Sequence, residues 1–478
     1  MTEKTIKLGF APTRRGMFPA EPARQQKQAV EARLREWGVE YVGLDWLNDE
    51  GMLFDPLAAP QVAERFQREK VDALFVPHCN FGEESAVALL ARALGKPVLL
   101  WGPRDEAPDA AGVRARDTQC GLFATSKALR RMNIPFTYIV NSWTASPVFA
   151  RGVRLFLGAV AAARAFRGAR IGQVSTRPGP FWTVMANEGE LLERWNIQVV
   201  PTTIVDIEQA TRQILAQQPP ELARELDDIR ARMDVSLLVS DALPTMAALK
   251  LALLDWVERA RLDAIALQCW SALQSALGIF PCFVNGELTG LGVPVACETD
   301  IHGALTSLMV QAAALWTRPT FFADLTVRHP ENENAELLWH CGPFPQKLMA
   351  EGASPSISGH GANPRGTPGP ANFEIRGGDL TLARFDGDHG EYSLLIGEAR
   401  GTTGPMTRGT YLWVEVDDWP AWEERFIYGP YVHHCTGIHG RLAAVLYEAC
   451  KYIPGLRPDP VRPTAEEIAA YWRGADLG

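Results

Sequence analysis

Ala73-Leu74-Phe75-Val76-Pro77 and Pro97-Val98-Leu99-Leu100-Trp101-Gly102 are two short apolar runs, and Gly82 to Leu94 between them repeats its apolar residues at helical spacing. A continuously apolar run of this length suits a strand covered on both faces. A helix joining two such strands is the signature of a parallel crossover. The pattern extends upstream: Ile6 to Phe10 reads as a strand, Gln25 to Trp37 as a helix, Val39 to Leu44 as a strand and Ala58 to Glu69 as a helix. Ligands of such sheets bind in loops beyond the strand carboxyl ends, where Arg14, Arg15 and Asn80-Phe81-Gly82-Glu83-Glu84 fall. These turns carry neither G-x-G-x-x-G nor a Walker-type loop, so a nucleotide cofactor is not indicated.

Downstream the alternation starts again near Ser146. Val148 to Phe166, Glu188 to Trp195, Glu221 to Met233 and Met246 to Ala260 read as helices, and Ala169 to Val174, Ile197 to Pro201 and Leu262 to Gln268 as strands. Beyond it, Glu351 to Asn372 is rich in Gly, Ser and Pro and reads as a linker or mobile loop. Asp379 to Phe385, Tyr392 to Gly397 and Tyr411 to Val416 alternate polar and apolar residues, as half-buried antiparallel strands do. The expected architecture is α/β: two doubly wound parallel-sheet domains, residues 1–145 and 146–345, followed by a smaller antiparallel β-barrel domain, residues 346–478. The acids discussed below fall in the second.

The chain has 478 residues, more than one ordinary core, and its 47% hydrophobic and 22% charged content describes a soluble globular protein. A formal net charge of -9 argues against a nucleic-acid binder. No apolar stretch is long enough to span a bilayer. The first ten residues lack the apolar core of a signal peptide, and a cytoplasmic location is expected. The eight cysteines contain no Cys-x-x-Cys pair and read as buried free thiols. Cys297, Cys341 and Cys435 read as small apolar packing beside candidate site residues.

Those residues close apolar runs. Glu298 and Asp300 follow Leu291 to Val295 in Ala296-Cys297-Glu298-Thr299-Asp300; Asp324 sits in Phe321-Phe322-Ala323-Asp324-Leu325; His340 ends Leu337-Leu338-Trp339; His433 and His434 follow Tyr431-Val432. A buried carboxylate needs a cation or hydrogen bonds, and carboxylates with imidazoles suit a divalent metal. Asp300 reads as the N-cap of a helix over Gly303 to Ala314. His433 and His434 point to opposite faces of an extended chain, so one of them is expected in the site, and spacing does not say which. His302 and His439 are minor candidates; His78, His329, His360 and His389 are assigned to surface or structure. Trp270, Trp339 and Phe181 sit beside strand-end loops, where an aromatic wall suits a sugar ring.

With Gln268-Cys269-Trp270-Ser271-Ala272-Leu273-Gln274, Ala296-Cys297-Glu298-Thr299-Asp300 with His302-Gly303-Ala304-Leu305-Thr306, and Leu338-Trp339-His340-Cys341-Gly342, the chain resembles the L-fucose isomerase and L-arabinose isomerase family, in its fucose-isomerase-like branch. The resemblance implies two α/β domains and a C-terminal β-barrel. It also implies a manganese-dependent aldose–ketose isomerase, homo-trimeric or homo-hexameric. It assigns Glu298 and Asp324 as metal-binding, proton-shuttling acids and His434 as the histidine ligand, with His433 in reserve. By the same resemblance His340 is a further ligand or supports one, and Arg14 or Arg15 contacts substrate, in its own subunit or a neighbouring one. Carboxylate and imidazole ligands equally admit Co²⁺ or Mg²⁺. The expected reaction passes through an ene-diol of a free pentose, hexose or 6-deoxyhexose. The alternatives are a sugar or sugar-acid epimerase or lyase on the same scaffold, or a sugar-binding protein without catalysis. The chain is shorter than typical fucose isomerases, and Gly352 to Pro368 has no counterpart in the family pattern.

Overall fold

The computed structural model describes residues 5–476 apart from 240 and 362. The chain divides into two compact units, residues 5–164 with 465–476, and residues 165–464.

In the first unit, β1 (Lys7–Phe10), β2 (Glu40–Val42), β3 (Ala73–Pro77), β4 (Val98–Trp101) and β5 (Phe136–Tyr138) form one parallel sheet in the order β2-β1-β3-β4-β5. Helices Ala20–Glu36, Ala59–Arg68, Glu84–Leu94 and Thr118–Arg131 alternate with the strands. Apolar side chains from both, among them Phe66, Val76, Leu90 and Leu100, make a contiguous core. Strand order reverses between β1 and β3, the crevice where such sheets bind ligands. There the Arg15 amide donates to Asn80 Oδ1 at 2.8 Å, and the Glu83 amide donates to Thr13 Oγ1 at 2.9 Å.

The second unit opens with β6 (Arg170–Val174), β7 (Gln198–Thr202), β8 (Ala264–Leu267) and β9 (Val295–Ala296), again all parallel, in the order β7-β6-β8-β9. Second-first-third-fourth repeats the beginning of the first sheet. The chain then turns antiparallel, through β10 (Phe321–Arg328), β11 (Ala335–His340), β12 (Ser356–Gly359), β13 (Pro368–Glu374), β14 (Asp379–Asp388), β15 (Glu391–Thr402), β16 (Thr410–Glu415), β17 (His434–His439) and β18 (Leu456–Pro460). Strands β16-β11-β10-β17-β14-β15 are neighbours in that order, and β15 pairs back onto β16, closing an antiparallel barrel. The expected α/β architecture with a C-terminal barrel is the one observed.

The segment 351–372 differs from the expectation of a linker: it carries β12 and the start of β13, which pair antiparallel. Its glycines serve close packing rather than slack. Gly369 has φ +143, and a Cβ there would lie 2.1 Å from the Phe280 carbonyl oxygen.

Helix Ile301–Ala313 joins sheet and barrel. Every one of its residues is buried, and it packs on β8 and β9 on one side and on β14 and β17 on the other. A helix buried on every face, its polar His302, Thr306, Ser307 and Gln311 included, belongs inside a core. Its N-terminal end thereby meets the mouth of the barrel.

Candidate active site

Glu298 occupies the short turn between β9 and that helix. Glu298 and its neighbour Thr299 both adopt left-handed backbone, at φ 56 and φ 60. For non-glycine residues this costs about 1–3 kcal/mol each, and such strain gathers at functional sites. Asp324 on β10 stands directly opposite His434 on β17, and His340 is the last residue of β11. The tight turn and three barrel strands therefore bring four side chains to one point.

The geometry there is not that of hydrogen bonds. His340 Nε2 lies 3.7 Å from Glu298 Oε2 and 3.8 Å from Asp324 Oδ1. His434 Nε2 lies 3.7 Å and 3.5 Å from the same two oxygens. Glu298 Oε2, Asp324 Oδ1 and His340 Nε2 are buried without a hydrogen-bond partner. Buried polar atoms are seldom left so. Separations of 3.5–3.8 Å are the edge lengths of ligands about 2.1–2.3 Å from a shared centre. The donor set, two carboxylates and two imidazoles, fits a hard or borderline divalent ion.

The electrostatics agree. Burial pushes the Glu298 carboxyl up, but the nearby imidazoles of His340 and His434 outweigh it and hold the group below its ordinary value. Burial works against a protonated His434 too, yet its hydrogen bond to Asp300 raises the imidazole above its ordinary value. Burial likewise opposes protonation of His340, which neighbouring negative charge, that of Cys297 foremost, raises well above its ordinary value. Ionised acids facing imidazoles that favour a proton are a place where a cation replaces protons.

Asp300 does cap its helix, accepting from the Gly303 amide at 2.8 Å. It also does more. Its Oδ2 lies 2.8 Å from His434 Nδ1, and Arg384 Nη1 donates to the same oxygen while Nη2 reaches Oδ1 at 3.2 Å. Burial would raise the Asp300 carboxyl, but Arg384 and His434 pull it far below the carboxylate range. An ionised carboxylate only accepts, so His434 must carry its proton on Nδ1 and present the Nε2 lone pair to Glu298 and Asp324. Arg384 is anchored in turn by Asp386, with Nε donating at 2.9 Å, and Asp386 Oδ1 lies 2.8 Å from His302 Nδ1. A chain of buried partners thus stands behind His434.

His433 is exposed, and its ring packs edge-on against His434 with centroids 4.4 Å apart. A ring nitrogen of His433 lies within 4.8 Å of donor atoms of both Asp324 and His434. Glu298, Asp324 and His340 open onto a cavity of about 410 Å³ whose walls include Trp270, Gln274, Phe280 and His360. Trp270 is 38% exposed and meets Phe181 edge-on at 5.5 Å. His360, assigned from sequence to surface or structure, lines this cavity and stacks on Phe280 at 4.6 Å. Arg14 and Arg15 belong to the other unit. There Arg14 Nη2 donates to Glu50 Oε1 at 2.6 Å, and Arg15 Nη2 lies 3.2 Å from Glu84 Oε2.

Sequence reasoning missed Arg384 and the thiol of Cys269, which donates to Glu298 Oε1 at 2.9 Å. All eight cysteines are free, and all but Cys120 are buried, as expected.

Residues 9–168 match the family described as Fucose/sulfoquinovose isomerase, N-terminal domain. The chain is 25% identical over 352 residues to a sulfoquinovose isomerase of Priestia aryabhattai, covering 73% of this chain and 76% of that one. It is 27% identical over 336 residues to a sulfoquinovose isomerase of Alkalicoccus urumqiensis, covering 69% and 72%. A third, from Clostridium sp. (strain MSTE9), is 25% identical over 275 residues, covering 56% and 59%. Similarity of this extent, with a parallel sheet feeding an antiparallel barrel, supports the resemblance to the fucose-isomerase-like branch of the sugar isomerases.

Proposed function

We propose that this protein is a divalent-metal-dependent aldose–ketose isomerase acting on a free sugar. The observation that carries the reading is the convergence of Glu298, Asp324, His340 and His434 around unpartnered buried atoms beside a cavity large enough for a monosaccharide. These four residues would hold the ion, with Mn²⁺ the first choice and Co²⁺ or Mg²⁺ alternatives. A bound divalent ion supplies Lewis-acid stabilisation of the negative charge that develops on enolisation.

The chain's own groups do the rest. One of Glu298 and Asp324 removes the C2 proton of the aldose and returns it at C1, and the other moves the hydroxyl proton, so that the sugar passes through an ene-diol. The Cys269 thiol and the two left-handed residues fix where Glu298 stands. Asp300 keeps the proton of His434 on the far nitrogen. Trp270 and Phe280 provide an apolar wall for the ring, with Gln274 available to the hydroxyls.

In this reading Arg14 or Arg15 reaches substrate from a neighbouring copy of a homo-trimer or homo-hexamer, and the protein works in the cytoplasm. No helix among the described residues is long and apolar enough to cross a membrane. Among the described residues lining the cavity, hydroxyl, amide and aromatic groups suit a neutral polyol. Pentoses, hexoses and 6-deoxyhexoses therefore come first, with sulfoquinovose added because the relatives are named for it.

The test is ketose formation from that panel by metal-stripped protein, with and without Mn²⁺. Metal-dependent conversion of one aldose establishes the reaction. Epimer or elimination products instead of a ketose, or no turnover of any sugar, overturn it.

A further inference from the structure

Behind the four converging donors lies a group of sulfur atoms that isomerisation does not use. Strands β8 and β9 are neighbours, with Ala266 paired to Ala296; β9 ends directly before Cys297 and β8 two residues before Cys269. Adjacent carboxyl ends of a parallel sheet thereby bring two thiols together. Both are buried, at 1% and 0% exposure, and Glu298 beside them is at 6%. The two sulfurs and a carboxylate oxygen of Glu298 lie within 4.8 Å of one another. Cys269 Sγ donates to Glu298 Oε1, and Asn285 Nδ2 lies 3.5 Å from Cys297 Sγ. Cys269 and Glu298 also line the cavity, which gives an ion a way in.

Glu298 thus faces two chemically different environments. Its Oε2 belongs to the nitrogen and oxygen donors described above, and its Oε1 accepts from the Cys269 thiol, with Cys297 alongside. Sulfur ligands with one carboxylate oxygen select thiophilic ions such as Zn²⁺ and Cd²⁺, not Mn²⁺. Three protein ligands leave a coordination position for water, as in open zinc sites.

We propose that Cys269, Cys297 and Glu298 form a second cation subsite, selective for a thiophilic divalent ion and sharing Glu298 with the Mn²⁺-type site. Both sulfurs bind as thiolates: Cys297 already carries the negative charge that faces His340, and the Cys269 proton goes to solvent, leaving two metal–sulfur bonds with no change of oxidation state. The ion draws on the charge of Glu298 and repels a second dication, so a thiophilic metal inhibits turnover. That consequence rests on the isomerase reading; the binding does not.

The test titrates Cd²⁺ into metal-stripped protein carrying Cys120→Ser, which removes the exposed thiol. The readout is the ultraviolet thiolate-to-cadmium charge-transfer band. Expected is a band that saturates with one ion per chain, disappears in Cys269→Ala and in Cys297→Ala, and persists in Cys341→Ser. Far-ultraviolet circular dichroism and the melting temperature check that the alanine variants are folded. ¹¹³Cd resonance of the parent protein counts sulfur ligands without altering a buried residue, and two are expected. No band, a resonance without sulfur ligands, or a band that survives both alanine variants overturns the proposal. So does a band lost only with Cys341, which would place the ion at the Cys282–Cys341 pair, whose sulfurs lie 3.0 Å apart. The band is read on the resting protein, so it decides the subsite whether or not any sugar turns over.

Discussion

Asp300→Asn keeps the size of a fully buried side chain and removes one charge. In the native site Asp300 Oδ1 accepts from the Gly303 amide, and Oδ2 receives both Arg384 Nη1 and His434 Nδ1. The asparagine oxygen retains the cap by taking the Gly303 amide. Its amide nitrogen then faces Arg384, donor against donor, and donates to His434 Nδ1. That moves the imidazole proton to Nε2, the atom facing Glu298 and Asp324. Breaking a buried ion pair costs about 3–5 kcal/mol. Arg384 keeps Asp386, so the lower end, about 3 kcal/mol, is expected as a drop in thermal stability. Loss of the partner that orients a metal-ligating histidine weakens metal binding about 10–100-fold, which is about 1.4–2.8 kcal/mol at 1.4 kcal/mol per tenfold. Calorimetric titration of the metal-stripped variant with Mn²⁺, alongside its melting temperature, measures both. An unchanged Mn²⁺ affinity in a folded variant would refute the argument that Asp300 sets the tautomer of His434.

Glu298→Gln should lower turnover about 10²–10⁴-fold, the usual worth of a general acid or base, while the melting temperature stays near that of the parent; near-normal kcat removes Glu298 from proton transfer. Because His434 and His340 hold their protons above the ordinary histidine range, and a protonated imidazole cannot ligate, Mn²⁺ affinity should rise with pH through and above 6.5. A flat profile across that range, measured by titration at fixed ionic strength, contradicts the histidine assignment. Gly303→Ala places a Cβ 2.5 Å from Phe322 Cε2 and 2.7 Å from Asp300 Oδ2. It should destabilise by about 1–3 kcal/mol and weaken metal binding together; a loss of stability alone would separate the helix start from the site.

The parallel sheets were legible because buried strands write themselves as unbroken apolar runs, as in Leu74 to Val76 and Val98 to Trp101. Glu298, Asp324, His340 and His434 stood out because each interrupts or ends such a run. Asp300 was half legible. A short acid before a helix is fully accounted for as a cap, and nothing in linear spacing shows that its second oxygen meets a histidine 134 residues away. Arg384 lay hidden in an alternating strand, where a charge normally faces water. The signal was in its register: Arg384 stands two residues before Asp386 on β14, and the pair is buried together. Segment 351–372 misled because glycine and proline mark tight approach as readily as slack, and only the close pass of Gly369 over Phe280 tells the two apart.

Helix Ile301–Ala313 has no solvent face. A surface helix can fray and reclose on its own, but one enclosed by a sheet and a barrel exposes its amides only when both let go. Its hydrogen exchange should therefore run at the rate of unfolding of the whole 165–464 unit. Glu298 and Asp300 hang from the start of that helix, so the donors they present are as durable as the unit itself. In the proposed reading an ion would leave this site by way of the cavity and not by local breathing of the protein around it.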